Sequence, residues 1–486
     1  MRNQRESIYF IKRIAKVCFF LTLLLGVKPL SALGLTLGKI HSSSTLSKPL
    51  NSDFFILSDI HFDTFASPEL IDSLADAPVQ RWKKILSSAS ANVALSHYGS
   101  DTNYALFGAC LEQMKKNNPH PAFIIITGDF LGHDLLSKLQ KNAGRDPVAV
   151  SSFFEKAFQF INTEIISRFP ATPVFPVLGN NDTPYGDYQL DYTSGFLKKL
   201  GRIWLPLLRN GRQTSLFTSS FGSGGYYSVP DPGNPANRII VLNTMPFSAY
   251  FHDKDNSKSF AQAGKELLWL KRELQKSRAM QRHVWLVYHI PPGVDPFKSS
   301  RTNICHDGPR MYWQSDLNDE FLKLIYQYRD IVKVQIAGHT HMDGFKVMVD
   351  ETQKPYSYVH LSPALSPLFG NNPAFQEVTY NSATAMLTDY DSWFLDLTNI
   401  PGSLVWKMEY SFNQLYGNQG VDAVGLNKVY RKIESDSEVR RRFIRSYNVS
   451  SPATQIDTVN FYAYWCGIGL LQKNGYTRCF CSTHKP

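Results

Sequence analysis

Seven side chains of metal-binding type stand in five short motifs, each at the end of an apolar run. The motifs are Asp59-Ile60-His61, Gly128-Asp129, Gly179-Asn180-Asn181-Asp182, His289 in His289-Ile290-Pro291-Pro292-Gly293, and Gly338-His339-Thr340-His341. Taken singly, most have an ordinary explanation. Asp59 could cap a helix, Asp129 and the 179–182 segment could form turns, and His289 could be a satisfied buried histidine. Gly338-His339-Thr340-His341 is harder to dismiss, because two near-adjacent histidines after an apolar strand commonly mean metal. Together, Asp59, His61, Asp129, Asn180, His289, His339 and His341 are enough to hold two divalent cations. A carboxylate bridges two ions, while neutral imidazoles and a carboxamide oxygen fill the shells without accumulating negative charge. This mixed set suits Zn²⁺ first, with Mn²⁺ or Fe as alternatives, over Ca²⁺ or Mg²⁺. Two such ions side by side acidify a shared water for in-line attack on phosphorus, so the expected chemistry is hydrolysis of a phosphate ester.

Holding these groups together requires a scaffold of strands. The runs at 54–57, 123–126, 174–178, 239–242, 284–288 and 331–336 are short, rich in β-branched residues and nearly continuous in hydrophobicity, as buried strands are. Helical patterns such as 265–274 lie between them. Strands alternating with helices predict an α/β fold, with the motifs at the strand ends where ligands bind. Residues 211–237, rich in Gly, Ser and Pro, read as a long loop or hairpin. Beyond 400 the pattern becomes polar and helix-like. The expected organisation is a catalytic domain at 53–400 and a helical, cysteine-containing extension at 401–486.

The chain has 486 residues, 43% hydrophobic and 13% aromatic, which suits a packed protein and argues against disorder. Arg2, Arg5, Lys12, Arg13 and Lys16 precede an apolar stretch at 17–27 and the small residues Ser31 and Ala32. That is the layout of a secretory signal, predicted over 1–33, with a Ser-rich linker at 34–52. The stretch is too short to span a bilayer, and no later segment is apolar enough, so no transmembrane span is expected in the mature chain. Residues 1–33 carry six basic residues and one acidic, so their removal takes the formal net charge from +10 to +5. Lys115-Lys116, Lys198-Lys199 and Arg440-Arg441-Arg442 are scattered, and no stable nucleic-acid binding is expected. Cys18 leaves with the signal. Of Cys110, Cys305, Cys466, Cys479 and Cys481, a bridge from Cys466 to Cys479 or Cys481 fits an oxidising compartment, and at least one thiol lacks an intrachain partner. A zinc knuckle of Cys479, Cys481 and His484 has poor spacing. The mature chain is expected to be secreted, periplasmic or lumenal.

The order of the five motifs resembles the calcineurin-like metallophosphoesterases, over roughly residues 53–345. The resemblance implies a four-layer αββα sandwich. It also implies that Asp59, His61 and His341 hold one metal, that Asn180, His289 and His339 hold the other, and that Asp129 bridges them. Gly128-Asp129-Phe130-Leu131-Gly132-His133-Asp134 and the 362–373 segment are similar to the acid sphingomyelinase-like phosphodiesterase branch, which places His133 in the site. One position departs from the common pattern. Many members have His where this chain has Asn181, and Asn cannot deliver a proton at neutral pH. Endopolyphosphatases, a related branch, look similar in having Asn-Asn-Asp. The general-acid role therefore falls to His133. Asn181 is expected to stabilise the phosphate oxygens, and Asp182 is too acidic to donate unless buried.

The expected substrate is a small phosphate ester, a diester first: a nucleotide, a lipid head group or polyphosphate. Sphingomyelin itself fits poorly, since roughly 19 residues between Gly34 and the first strand leave no room for a saposin-like module. Endopolyphosphatase or phosphomonoesterase activity is the enzymatic alternative. A metal-containing binding protein without turnover is the alternative of another class, supported only by Asn181. In the insert after the first motif, Tyr98 and Asn103 are candidate substrate contacts, as is His252 after the fourth strand. Asn448-Val449-Ser450 and Asn181-Asp182-Thr183 match the N-glycosylation pattern, the second inside the expected site.

Overall fold

The computed structural model describes residues 51–89, 94–142, 144–209, 211–252, 260–399 and 405–483. The predicted signal, the linker up to residue 50 and His484 lie outside these residues. Residues 51 and 52, assigned to the linker from sequence, open the first strand.

All six apolar runs become strands. The strands are β1 (Asn51–Leu57), β2 (Ile124–Ile126), β3 (Val174–Pro176), β4 (Tyr227–Pro230), β5 (Arg238–Val241), β6 (Val284–Val287), β7 (Val332–Ala337), β8 (Gly344–Val349), β9 (Pro355–Leu361), β10 (Ala374–Asn381), β11 (Met386–Leu395) and β12 (Trp406–Ser411). They form two six-stranded mixed sheets, ordered β12-β11-β10-β1-β2-β3 and β4-β5-β6-β7-β9-β8. In the first, β1, β2 and β3 run parallel, and β10 to β12 extend the sheet antiparallel. In the second, β5, β6, β7 and β9 run parallel, with β4 and β8 as antiparallel edges.

The sheets pack face to face, and alternate residues explain why the runs are apolar throughout. Phe54, Phe123 and Tyr380 of the first sheet meet Trp285 of the second at ring separations of 5.3, 6.1 and 4.9 Å. Phe55, the next residue, points the other way, onto Phe169. In β6, Trp285 and Val287 belong to this central core, whereas Val284 and Leu286 belong to a second cluster under the outer helices. Both faces of β2, β3, β5 and β6 are thus buried, and polar alternation is absent there. Helices α1 (Tyr104–Asn117), α2 (Pro147–Arg168) and α3 (Phe196–Trp204) contribute to the first core, and α4 (Ala261–Ala279) and α5 (Ser315–Gln327) to the second. The fold is a four-layer α/β sandwich with helices outside both sheets.

Of the long loop or hairpin expected over 211–237, the hairpin is present in part, since β4 pairs antiparallel with β5, but helical segments precede it. Gly211–Thr218 and Phe221–Gly224 are helical, and Tyr227–Pro230 is β4. Phe217 lies 4.6 Å from Phe221 and 4.8 Å from Tyr227, ring to ring. Three buried aromatics thus order a stretch whose Gly and Ser content suggested a loop.

The C-terminal part adds β12 and then α6 (Ala423–Ser435), α7 (Ser437–Tyr447), α8 (Phe461–Gly469) and α9 (Lys473–Thr483). Tyr430 stacks on Trp465 at 5.0 Å, joining α6 to α8. Cys466 pairs with Cys479, one of the two partners expected, and Cys481 pairs with Cys305, a bridge not foreseen. Cys110 is the buried free thiol. Among the described residues, no helix is long and apolar enough to cross a membrane.

Candidate metal centre

The five motifs follow β1, β2, β3, β6 and β7, which places them at one end of the two packed sheets. Five of the seven predicted ligands adopt a left-handed backbone: Asp59, His61, Asp129, His339 and His341 have φ of 45°, 43°, 52°, 70° and 61°. Each such residue costs about 1–3 kcal/mol and persists only where its surroundings over-determine it. Here the loops lock one another. The Asp59 N–H donates to Gly128 O at 3.2 Å, and the His61 N–H to Asp129 O at 2.9 Å. The His339 N–H donates to Asp59 Oδ2 at 3.0 Å. The motif glycines allow this closeness. A Cβ on Gly128, at φ 106°, would sit 2.8 Å from His289 Nδ1, and one on Gly338 would sit 2.7 Å from Asp59 Oδ2.

The donor atoms converge. Asp129 Oδ2 lies 3.5 Å from His61 Nε2 and 3.2 Å from His289 Nε2. Asp59 Oδ1 lies 3.8 Å from His61 Nε2 and 3.5 Å from His341 Nε2. Asn180 Oδ1 approaches His289 Nε2 at 2.9 Å, and its Nδ2 donates to Asp187 at 2.7 Å, which turns the amide oxygen toward the centre. His61 Nδ1 donates to Leu131 O at 3.1 Å and His289 Nδ1 to Thr127 O at 2.9 Å. Each bond leaves Nε2 facing inward, the usual device for presenting imidazole to a metal.

Three overlapping groups each bring their ligand atoms within 4.8 Å: Asp59, His61 and Asp129; Asp129, His289 and His339; and His61, His133 and His341. Asp129 is common to two of them. Burial, with nearby imidazoles, lowers His61 to about 4 and holds His339 and His341 well below the usual range, so these rings are neutral and their lone pairs free. Burial pushes Asp129 up, yet His289 and His61 hold it well below the carboxylate range. Burial opposes protonation of His289, and Asp129 overrides it, raising the imidazole to about 9. The proton shared there is what a cation would displace. Desolvated carboxylates, neutral imidazoles and one oriented carboxamide are a donor set that fits two divalent metals.

His133 stacks on His61 at 3.8 Å, ring to ring, and stands in the third group. Its Nδ1 pairs with Asp101 at 3.0 Å, and its backbone N–H donates to the same carboxylate at 2.8 Å. Ser366, in the 362–373 segment, donates to Asp101 at 2.9 Å. Burial disfavours the charged ring, but Asp101 outweighs it and His133 is raised above its ordinary value. Asn181 donates to Asp129 through both its backbone N–H, at 2.8 Å, and its Nδ2, at 3.0 Å. Asp182 is fully buried and accepts from Gly179, Phe130 and Leu131 backbone N–H groups, so it ties the second and third motifs together.

A cleft of about 280 Å³ opens over these groups. Its walls include Asp187, Tyr188, Asp295, Phe297, Lys298 and Phe369, none of them singled out from sequence. Asp101 was also missed, although it lies inside the polar, aromatic 96–104 segment. The two contacts chosen from that segment do other work. Asn103 caps α1, accepting from the Leu106 N–H at 3.0 Å, and the Tyr98 hydroxyl donates to Asn372 at 2.5 Å. His252 pairs as a bridge with Gln189, outside the cleft walls. Asn448 is buried, with its Oδ1 accepting from Gln455, so its glycosylation motif is inaccessible in the folded chain.

The model of the calcineurin-like phosphoesterase family matches residues 53–343. Sphingomyelinase phosphodiesterase C of Dictyostelium discoideum is 27% identical over 90% of this chain and 95% of its own length. Human acid sphingomyelinase-like phosphodiesterase 3b is 27% identical over 79% of this chain and 81% of its own. The bovine cyclic GMP-AMP phosphodiesterase SMPDL3A is 28% identical over 79% and 82%. With its motifs gathered at the strand ends of a double-sheet sandwich, the chain belongs to the calcineurin-like phosphoesterase family, in the branch of acid sphingomyelinase-like phosphodiesterases, and is a phosphoesterase hydrolase.

Proposed function

We propose that this protein is an exported phosphodiesterase that cleaves small phosphodiesters at a two-metal centre, with Zn²⁺ as its first-choice ion. Asp59, His61 and His341 would hold one ion, Asn180, His289 and His339 the other, and Asp129 would serve both. Bound there, two divalent cations would supply Lewis acidity toward the phosphoryl oxygens and an acidified water as nucleophile. His133, its Nδ1–H fixed on Asp101, gives a proton to the leaving oxygen as the P–O bond breaks. Such a proton transfer contributes about 10²–10⁴-fold. Asn181 steadies the phosphate oxygens and holds Asp129. The convergence of these donors around Asp129, with the His133–Asp101 pair alongside, carries this reading. The names of the relatives support a diester, and two disulfides support an oxidising compartment.

The test is hydrolysis of bis(p-nitrophenyl) phosphate and p-nitrophenyl phosphate with Zn²⁺, Mn²⁺ or a chelator. Faster diester cleavage, abolished by chelator, is expected. Preference for the monoester would replace the diesterase reading. Full activity in Asp129→Asn with normal metal content would overturn the two-metal mechanism.

A further inference from the structure

Among the described residues that line the cleft, Lys298 is the only one with a fixed positive charge. It lies on the wall of Asp295 and Tyr312. Its ammonium sits 3.8 Å over the Tyr250 ring, and its side chain is 45% exposed. Its nearest carboxylate, Asp295 Oδ2, is 4.0 Å away, too far for a hydrogen bond. Asp295 Oδ1 accepts from the Lys298 backbone N–H at 3.0 Å to cap the short helix that carries the lysine, which leaves Oδ2 in the loose ion pair with the ammonium. The other uncommitted-looking acid of the cleft, Asp187, receives the Asn180 amide. Among the described residues the ammonium donates no hydrogen bond, which leaves its donors for a ligand in the cleft.

The segment that presents Lys298 is held from behind. Gly293 N–H donates to Asn318 at 2.8 Å, and Asn318 donates in turn to Leu471 O at 3.1 Å. Buried Lys346 donates to Gly467 O at 3.2 Å and to Val294 O at 3.4 Å. Cys305–Cys481 fastens the same segment to α9. A cation on a braced wall, seated on an aromatic face and held only in a loose 4.0 Å ion pair with Asp295, is a preorganised anion site.

We propose that Lys298, backed by Tyr250, binds a second phosphate on the substrate, distinct from the phosphate being cleaved. The inference rests on the phosphodiesterase reading and narrows it to diesters that carry a further anionic phosphate.

The test compares thymidine 3′,5′-bisphosphate with thymidine 5′-monophosphate by calorimetric titration of the Zn²⁺-loaded protein, which needs no turnover. Wild type is expected to prefer the bisphosphate by roughly tenfold or more, the effect of one charge-assisted contact. Lys298→Ala should remove the preference and Lys298→Arg should retain it. An equal preference in Lys298→Ala, or none in wild type, overturns the subsite. Bis(p-nitrophenyl) phosphate hydrolysis is followed in parallel. In Lys298→Ala its kcat/KM should fall by less than the affinity for the bisphosphate does, since this singly charged diester lacks the second phosphate. An equal or larger loss there would put Lys298 on the scissile phosphate and overturn the proposal. Failure of wild type to cleave any diester would instead overturn the enzymatic reading and leave the titration to decide the subsite.

Discussion

His133 and Asp101 divide one task. Asp101 accepts from both the ring and the backbone of His133, so it sets the ring's orientation and its proton-bearing nitrogen. Burial raises the Asp101 carboxyl, but the His133 hydrogen bond more than reverses this, leaving it at about 2. Asp101 therefore stays charged across the physiological range. His133→Ala is expected to lower kcat on a poor leaving group by about 10²–10⁴ while both metals remain bound. Metal analysis of the purified variant decides between roles. Loss of one ion would make His133 a ligand, which its place in the third donor group also permits. Asp101→Asn should give a smaller loss in kcat and move the alkaline limb of the pH profile to lower pH, because the neutral partner no longer favours imidazolium. An unshifted limb would reduce Asp101 to a structural role.

The elements were legible where both faces of a strand are buried, because continuous apolar runs such as 284–288 then stand out from polar loops. Those runs led directly to the candidate ligand motifs at their ends. β10 and β11 were not found: in Gln376, Glu377, Asp389 and Asp391 they carry polar residues that a search for apolar runs passes over. Asp101 was unreadable for a different reason, since a lone Asp in a polar insert gains its meaning only from His133 across the fold. A buried acid under the second sheet illustrates the same limit. Glu266 on α4 is buried with one backbone donor, the Asn243 N–H at 2.7 Å, and burial raises its carboxyl well above 4.5. Its folded value exceeds its unfolded value. Its contribution is therefore full below about 4.5 and is lost as pH rises from there. Glu266→Gln keeps the acceptor and removes the charge. It should stabilise the protein by about 1–3 kcal/mol at pH 8 and much less at pH 4.5, read from urea midpoints. Equal effects at both pH values would show that the acid is not strained by burial. At the same scale, Cys305→Ser/Cys481→Ser opens a bridge across 176 residues, a constraint worth about 5 kcal/mol in the chain-entropy limit. The double variant should melt lower and raise KM for diesters that carry a second phosphate, through the loosened Lys298 wall, with metal content unchanged. A KM equal to wild type would mean that the Asn318 and Lys346 contacts suffice.

At the scale of the molecule, the candidate centre lies on the seam between the sheets. Asp59, His61, Asp129 and Asn180 come from loops of the first sheet, and His289, His339 and His341 from loops of the second. Each proposed ion takes donors from both: His341 joins Asp59 and His61, while His289 and His339 join Asn180. Below that end, Phe54, Phe123, Tyr380 and Trp285 already hold the sheets together by apolar contact, so the metals are not needed for the sandwich to form. Above it, left-handed residues and closely spaced carboxylates meet at the candidate centre. Metal binding should therefore stabilise the fold by linkage, in proportion to the logarithm of free metal over its dissociation constant. Each ion at about 100 times that constant adds roughly 2.7 kcal/mol. Chelation should lower Tm by several degrees, reversibly on adding Zn²⁺, while the far-UV circular dichroism of the native state is unchanged. Asp129→Asn, which weakens the donor common to both ions, should show most of that loss before chelator is added and little further change after it. If chelator leaves the Tm of the wild type where it was, the seven residues do not clamp the two sheets through metal, and the aromatic seam alone holds them.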